Sequence, residues 1–131
     1  MSAANVEVVR AMQDAFARGD YETATEALRS LRELDMRESG MPDGALYEGR
    51  EKAFEYLRSW IGTWEDYDFV PCEYVPAGDG VMVGFREHGR GKRSGVEMEG
   101  EYFGVYDLED GRIVRLRGYS SREEALAAAG V

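Results

Sequence analysis

The sequence predicts an α+β domain in which helices come first and an antiparallel sheet follows. Three observations predict it. Apolar residues recur at helical spacing in the stretches before residue 62 and alternate with polar ones in several stretches after it. The later stretches are joined by "PAGDG", "RGKRSG" and "EDG", which are short, charged and glycine-bearing, so they suit hairpins rather than crossover helices. The length, 131 residues, suits one domain over 1–131 with a single core.

The elements follow in order. Val6, Val9, Met12 and Phe16 recur at helical spacing after Asn5, read as the N-cap, and Gly19 ends the run. Asp20 caps a second helix marked by Ala24, Ala27, Leu28 and Leu31. "ELDMRES" alternates as a short strand, and "GMPDGALYEG" reads as a loop. From Arg50 to Gly62, the residues Ala53, Phe54, Leu57, Trp60 and Ile61 form one apolar stripe, with Trp64 just beyond. Four strand segments follow, "YDFVPCEYV", "GVMVGFREHG", "GVEMEGEYFGVYDL" and "RIVRLRGYS", most simply a meander. In the third, Glu97, Glu99 and Glu101 alternate with Met98, Gly100 and Tyr102, so one face is wet and the helices cover the other. Ser121 and Glu124 form a capping box before a short closing helix.

Composition narrows the functions. Sixteen Lys and Arg against 26 Asp and Glu give a net charge of -10, a field that repels phosphate backbones and anionic lipid, so neither nucleic acid nor a membrane is an expected partner. Cys72 is the single cysteine, which rules out an internal disulfide and fits a reducing compartment. "MSAANVEVVR" lacks the basic-then-apolar pattern of a secretion signal, and no run approaches the ~20 apolar residues that span a bilayer. A soluble cytoplasmic protein is expected. One histidine and one distant cysteine do not build a zinc site, and no glycine-rich loop follows a parallel strand, so no metal and no cofactor are expected.

Two long segments carry a resemblance. "YEGREKAFEYLRSWIGTWEDYDF" is similar to the G-x-x-x-h-x-x-(F/Y)-(L/F)-x-x-W segment of the nuclear transport factor 2-like superfamily, and "GVYDLEDGRIVRLRGYSSREEALAAAG" to the h-h-x-(L/F)-x-(D/E)-G-(K/R)-I-x-x-h-x-x-Y ending of its SnoaL-like branch. With the first helix they cover nearly the whole chain. The resemblance implies a cone, a curved antiparallel sheet wrapped around the N-terminal helices. It leaves function open among ketosteroid isomerases, polyketide cyclases, limonene epoxide hydrolases, dehydratases and non-catalytic binding modules. It also implies a homodimer through the outer sheet face, where Phe103, Val105 and Tyr119 stand between charged residues.

Catalytic groups in this family point into the cone, so strand parity decides the candidates. In the last strand Val114, Leu116 and Gly118 share the apolar, inner face; the relatives' aspartate base corresponds to Gly118, so that base is absent. The hydrolases' water-holding Tyr and Asn correspond to Met36 and Glu38. For "VGFREHGRGKRSG" two registers are open. Counting forward from "AGDG" turns Met82, Gly84, Arg86 and His88 inward; counting backward from "RSG" turns Phe85 and Glu87 inward instead. The forward register is preferred, because an extra residue sits more easily in the hairpin loop than within a strand.

In that register Arg86 resembles the hydrolases' arginine and His88 falls where their second acid stands. His88 is then a base, Arg86 an anion clamp, Tyr102 a donor to an oxyanion and Glu38, if inward, a second acid. The competing reading leaves Arg86 and His88 at the solvated end of the sheet, Glu38 as a strand-end charge and Tyr102 as a floor residue. An apolar small-molecule cavity is expected, walled by Phe16, Met36, Trp60, Phe69, Met82, Met98, Tyr102 and Leu116, with Gly84, Gly100, Gly104 and Gly118 removing volume. The expected activity is either a cofactor-free isomerisation, cyclisation or dehydration by acid/base chemistry, or ligand binding alone.

Overall fold

The structure is a computed structural model that describes residues 2–41 and 43–131; Pro42 of the expected loop lies outside the described residues, as does Met1. Two helices open the chain, α1 (Ser2–Ala17) and α2 (Tyr21–Ala27). Asn5 is not the cap of α1. It lies inside the helix, buried, and its Nδ2 donates to the Asp79 carbonyl at 3.2 Å, tying α1 to a distant hairpin. Asp20 does cap α2, accepting from the Thr23 amide.

Strand β1 (Glu33–Glu38) is followed by β2 (Leu46–Glu48), a three-residue strand inside the segment read as a loop. Too short to show alternation, β2 is held by antiparallel pairing with β1. Its approach requires Gly44, where a Cβ would lie 2.5 Å from the Met36 carbonyl oxygen.

Helix α3 (Arg50–Gly62) has the expected bounds. Gly49 before it donates its amide to the Arg32 carbonyl at 2.7 Å, and Thr63 after it accepts from the Lys92 amide at 3.1 Å, so both ends are pinned to the sheet. Between the pins Ala53 is fully buried, whereas Phe54, Leu57, Trp60 and Ile61 are only half-buried. The stripe faces a hollow.

Strands β3 (Trp64–Ala77), β4 (Gly80–Gly91), β5 (Glu97–Glu109) and β6 (Arg112–Tyr119) form the expected antiparallel meander. β1 adds to β6 in parallel, giving one open six-stranded sheet in the order β2-β1-β6-β5-β4-β3. Finally α4 (Arg122–Ala128) begins at Ser121, whose side chain accepts from the Glu124 amide.

Part of the sheet is covered on both faces. Val81, Val83 and Phe85 of β4 join Tyr102, Tyr106 and Leu116 in the main core with α1 and Ala53 of α3. On the other face Met82, Phe103 and Val105 pack beneath Ala125, Leu126, Ala128 and Ala129 of α4 and its end. This overturns the preferred register: Phe85 and Glu87 point inward, while Met82, Gly84 and Arg86 lie on the outer face. The physical reason is α4. By covering the outer face it makes "VMVGF" apolar in both directions, and alternation no longer marks the inside. It also covers Phe103 and Val105, two residues of the face expected to pair copies.

Candidate functional site

A cavity of about 620 Å³ lies between α3, the first two helices and the inner sheet face. Its floor is an aromatic row from neighbouring strands. Phe69 stacks on Phe85 with ring centroids 4.1 Å apart, Tyr67 lies 6.1 Å from Phe69, and Tyr102 lies 5.8 Å from both Phe69 and Phe85.

An irregularity in β3 puts Tyr67 in that row. Between Glu65 and Asp68 the β3–β4 register shifts by one residue, and Asp66 has a positive φ of 52°. Asp tolerates this left-handed conformation better than most residues. The extra residue reverses parity, so Tyr67 and Phe69 face inward in place of Asp66 and Asp68.

Tyr67 then meets Glu87. Its hydroxyl donates to Glu87 Oε1 at 2.7 Å and accepts from Trp60 Nε1 at 3.2 Å, linking α3, β3 and β4. Glu87 is 7% exposed and, among the described residues, is the sole carboxylate on the cavity wall. Burial raises its pKa above the usual carboxylate value, with the hydrogen bonds from Tyr67 and Trp60 opposing that rise. Burial also drives the Tyr67 pKa up, and the Glu87 charge adds to it, so Tyr67 stays a donor.

Two further hydroxyls lack a strong acceptor. Tyr102, 5% exposed, donates to Met36 Sδ at 3.7 Å, and Tyr56 donates to Met41 Sδ at 3.7 Å. Thioether sulfur is a weak acceptor, so both hydroxyls can be given to a ligand oxygen. Burial raises the Tyr102 pKa well above normal and pushes Tyr56 up to about 12. Gln13 and Tyr106, by contrast, satisfy one another at 2.9 Å.

Of the residues expected to wall the cavity, Phe16, Met36, Trp60, Phe69, Tyr102 and Leu116 line it. Met82 does not, being on the outer face under α4. Met98 lies on the strand face of Tyr102 but beyond the cavity, half-buried opposite Gly89. The candidate catalytic residues divide. Tyr102 is on the wall; Arg86, His88 and Glu38 are not. Arg86 is exposed opposite Val70 and Glu101, and His88 is half-buried opposite Asp68 and Glu99. Glu38 is exposed because β1 carries one extra residue against β6 between Asp35 and Glu38, which turns it out of the line that puts Met36 inward. Inference from sequence passed over Glu87 in its preferred register and missed Tyr56, Tyr67, Gln13 and Tyr106. The backward register held the one available signal for Glu87.

Gly104 lies on the inner face, where a Cβ would meet Tyr106, Leu116 and Phe85, but the other glycines act otherwise than expected. Gly84 lies on the outer face against Glu73 and Phe103, and Gly100 faces open space. A Cβ on Gly118 would lie 2.6 Å from the Tyr102 hydroxyl and 2.8 Å from Met36 Sδ. The place of the relatives' aspartate is thus taken up by a tyrosine tip and a thioether.

Comparison with known proteins agrees with this architecture. A family model described as "SnoaL-like domain" matches residues 9–116. Among solved structures, Bal32a from a soil-derived mobile gene cassette superposes with TM-score 0.76 at 21% identity, covering 95% of this chain and 94% of that one. An NTF2-like protein from Burkholderia thailandensis gives 0.77 at 21% identity, covering 97% of each chain. TerC, co-crystallised with polyporic acid, gives 0.71 at 17% identity, covering 98% of this chain and 99% of that one. No curated protein matches the chain. With most of its length matched by that model and its sheet and helices arranged as in NTF2-like structures, the chain belongs to the SnoaL-like domain family.

Proposed function

We propose that the chain binds an apolar, oxygenated small molecule in this cavity and moves a proton on it without a cofactor. Glu87 takes the role first given to His88. Its carboxylate removes a proton from a carbon next to a carbonyl, the C–H electron pair moves toward the carbonyl oxygen, and the Tyr102 hydroxyl donates to that oxygen. Return of the proton from Glu87 to another carbon completes an isomerisation; the same two groups serve a cyclisation or dehydration. The observation that carries this reading is the buried Glu87, held by Tyr67 in an aromatic cavity whose volume suits a small ligand. Such a site keeps a carboxylate in reach of neutral-pH proton transfer. TerC was co-crystallised with polyporic acid, which supports a cavity of this kind taking a small organic molecule.

The test uses cyclic ketones and phenolic polyketides that raise the melting temperature. In deuterated water the native protein is expected to exchange protons beside the carbonyl of a bound ketone, about 100-fold or more faster than Glu87→Gln. Equal exchange in both would dismiss Glu87 as the base. Binding with no exchange in the native protein would favour the second reading, a non-catalytic binding module, which the loss of the aspartate position at Gly118 supports.

The protein is further proposed to work in the cytoplasm as a homodimer. Among the described residues no helix is long and apolar enough to cross a membrane. The outer-face strip that α4 leaves open sets Arg86 and His88 beside Asp68, Glu99 and Glu101, with Val70 exposed, so it carries both signs of charge needed for a two-fold contact with itself.

A further inference from the structure

Three Glu-x-x-Arg pairs stand on helices or their ends: Glu7 with Arg10, Glu26 with Arg29 and Glu55 with Arg58. Residues three apart on a helix are neighbours, and opposite charges at that spacing close readily. The first pair closes at 3.4 Å and the second at 2.6 Å. The third stays open. Arg58 makes no hydrogen bond or ion pair among the described residues, although Glu55 is one turn away.

Its position sets it apart. Outside the cavity a polar cleft of about 530 Å³ runs between α2 and α3, and Thr25, Phe54 and Arg58 line both spaces. Arg58 therefore stands at the threshold. Of the other two arginines of the cleft, Arg29 pairs with Glu26, while Arg50 gives one bond to the Arg29 carbonyl at 3.3 Å and keeps its charge; Glu26, Glu51 and Glu55 line the same cleft. Arg58 alone of the three also lines the cavity, where it offers its guanidinium fork, a permanent charge that fits planar or tetrahedral oxyanions. Beyond the threshold the walls are mostly apolar, and their one carboxylate among the described residues is Glu87, whose charge repels an anion.

Resting on the reading of the cavity as a small-molecule site, we infer that its ligand is an amphipathic monoanion: a ring-bearing carboxylate or similar oxyanion whose apolar body fills the cavity while its charged group stays at the threshold on Arg58. The two charges then orient it. The anion is held outward, and the end reaching Glu87 and Tyr102 carries a neutral oxygen.

The test compares two fluorescent probes that share one ring system, 8-anilinonaphthalene-1-sulfonate and the neutral N-phenyl-1-naphthylamine, by titration at low salt. Variants are Arg58→Met, Arg58→Lys and, as a control for overall charge, Arg112→Met, an exposed arginine at the start of β6. Arg58→Met is expected to weaken the sulfonate about tenfold and to leave the neutral amine within about twofold. Arg58→Lys recovers most of the loss, and Arg112→Met changes neither. A sulfonate loss no greater than that in Arg112→Met, or an equal loss for both probes, overturns the anion site while the cavity stands. If neither probe binds the native protein, the cavity reading and the anion site fall together.

Discussion

Glu87 is a carboxylate that the fold makes harder to ionise, and its effect on stability has a definite sign. Because its folded pKa lies above the ordinary 4.5, the stability it contributes is fully present below that value and is lost as the pH rises through the folded pKa. Glu87→Gln keeps an oxygen to accept from Tyr67 and carries no charge. Its melting temperature relative to the native protein should therefore climb as pH rises from 4 to 8; a difference flat across that range, or one that falls, would contradict the burial argument. The sequence made this residue hard to choose. "FREHG" holds three polar side chains in succession, so parity rests on the strand's apolar part, and there both faces are apolar. Tyr102 was legible because β5 alternates with three glutamates facing solvent. Gly118 was not legible as a site of close contact, since its neighbours come from β1 and β5.

At the level of elements, the irregularities in the strands decide which side chains meet. The positive φ at Asp66 reverses the facing of the first part of β3 and delivers Tyr67 to Glu87. A β-branched residue is strained there, whereas glycine is not. Asp66→Val should cost about 1–3 kcal/mol in denaturant unfolding. Asp66→Gly should stay within about 0.5 kcal/mol, since the exposed pair it loses with Arg90 is worth little. Equal costs would mean that the backbone there is not what the substitution disturbs. The extra residue in β1 does the reverse for Glu38, moving a candidate acid into solvent. The order of the helices, the bounds of α3, the hairpins and the order of the meander were legible because periodicity and turn residues are local; the start of α1 and the end of α2 were not. A bulge leaves no local mark beyond one tolerant residue such as Asp66, and β2 is too short for any period.

For the whole molecule, α4 divides the outer sheet face. The buried half, Met82, Phe103 and Val105, is closed to a partner, and the mixed-charge half is open. Sedimentation at micromolar concentration and low salt should show a species near twice 14.7 kDa that shifts toward the monomer as salt rises, because the strip contributes charge more than apolar area. A 14.7 kDa species alone at all salt concentrations would refute the dimer. The resemblance pointed to this face as a whole, but not to its division, because the short closing helix gives no sign in sequence of where it docks.

The half-buried stripe of α3 has a mechanical meaning. Held at Gly49 and Thr63 and spanning a hollow between them, the helix is a beam resting on two supports. Outward bowing would leave both supports in place, at the cost of the Ala53 packing and the Trp60–Tyr67 hydrogen bond, and would admit a guest past the half-buried residues. A guest of the kind proposed would be the missing midspan prop, and the loaded protein would be the stiffer of the two at little change in shape.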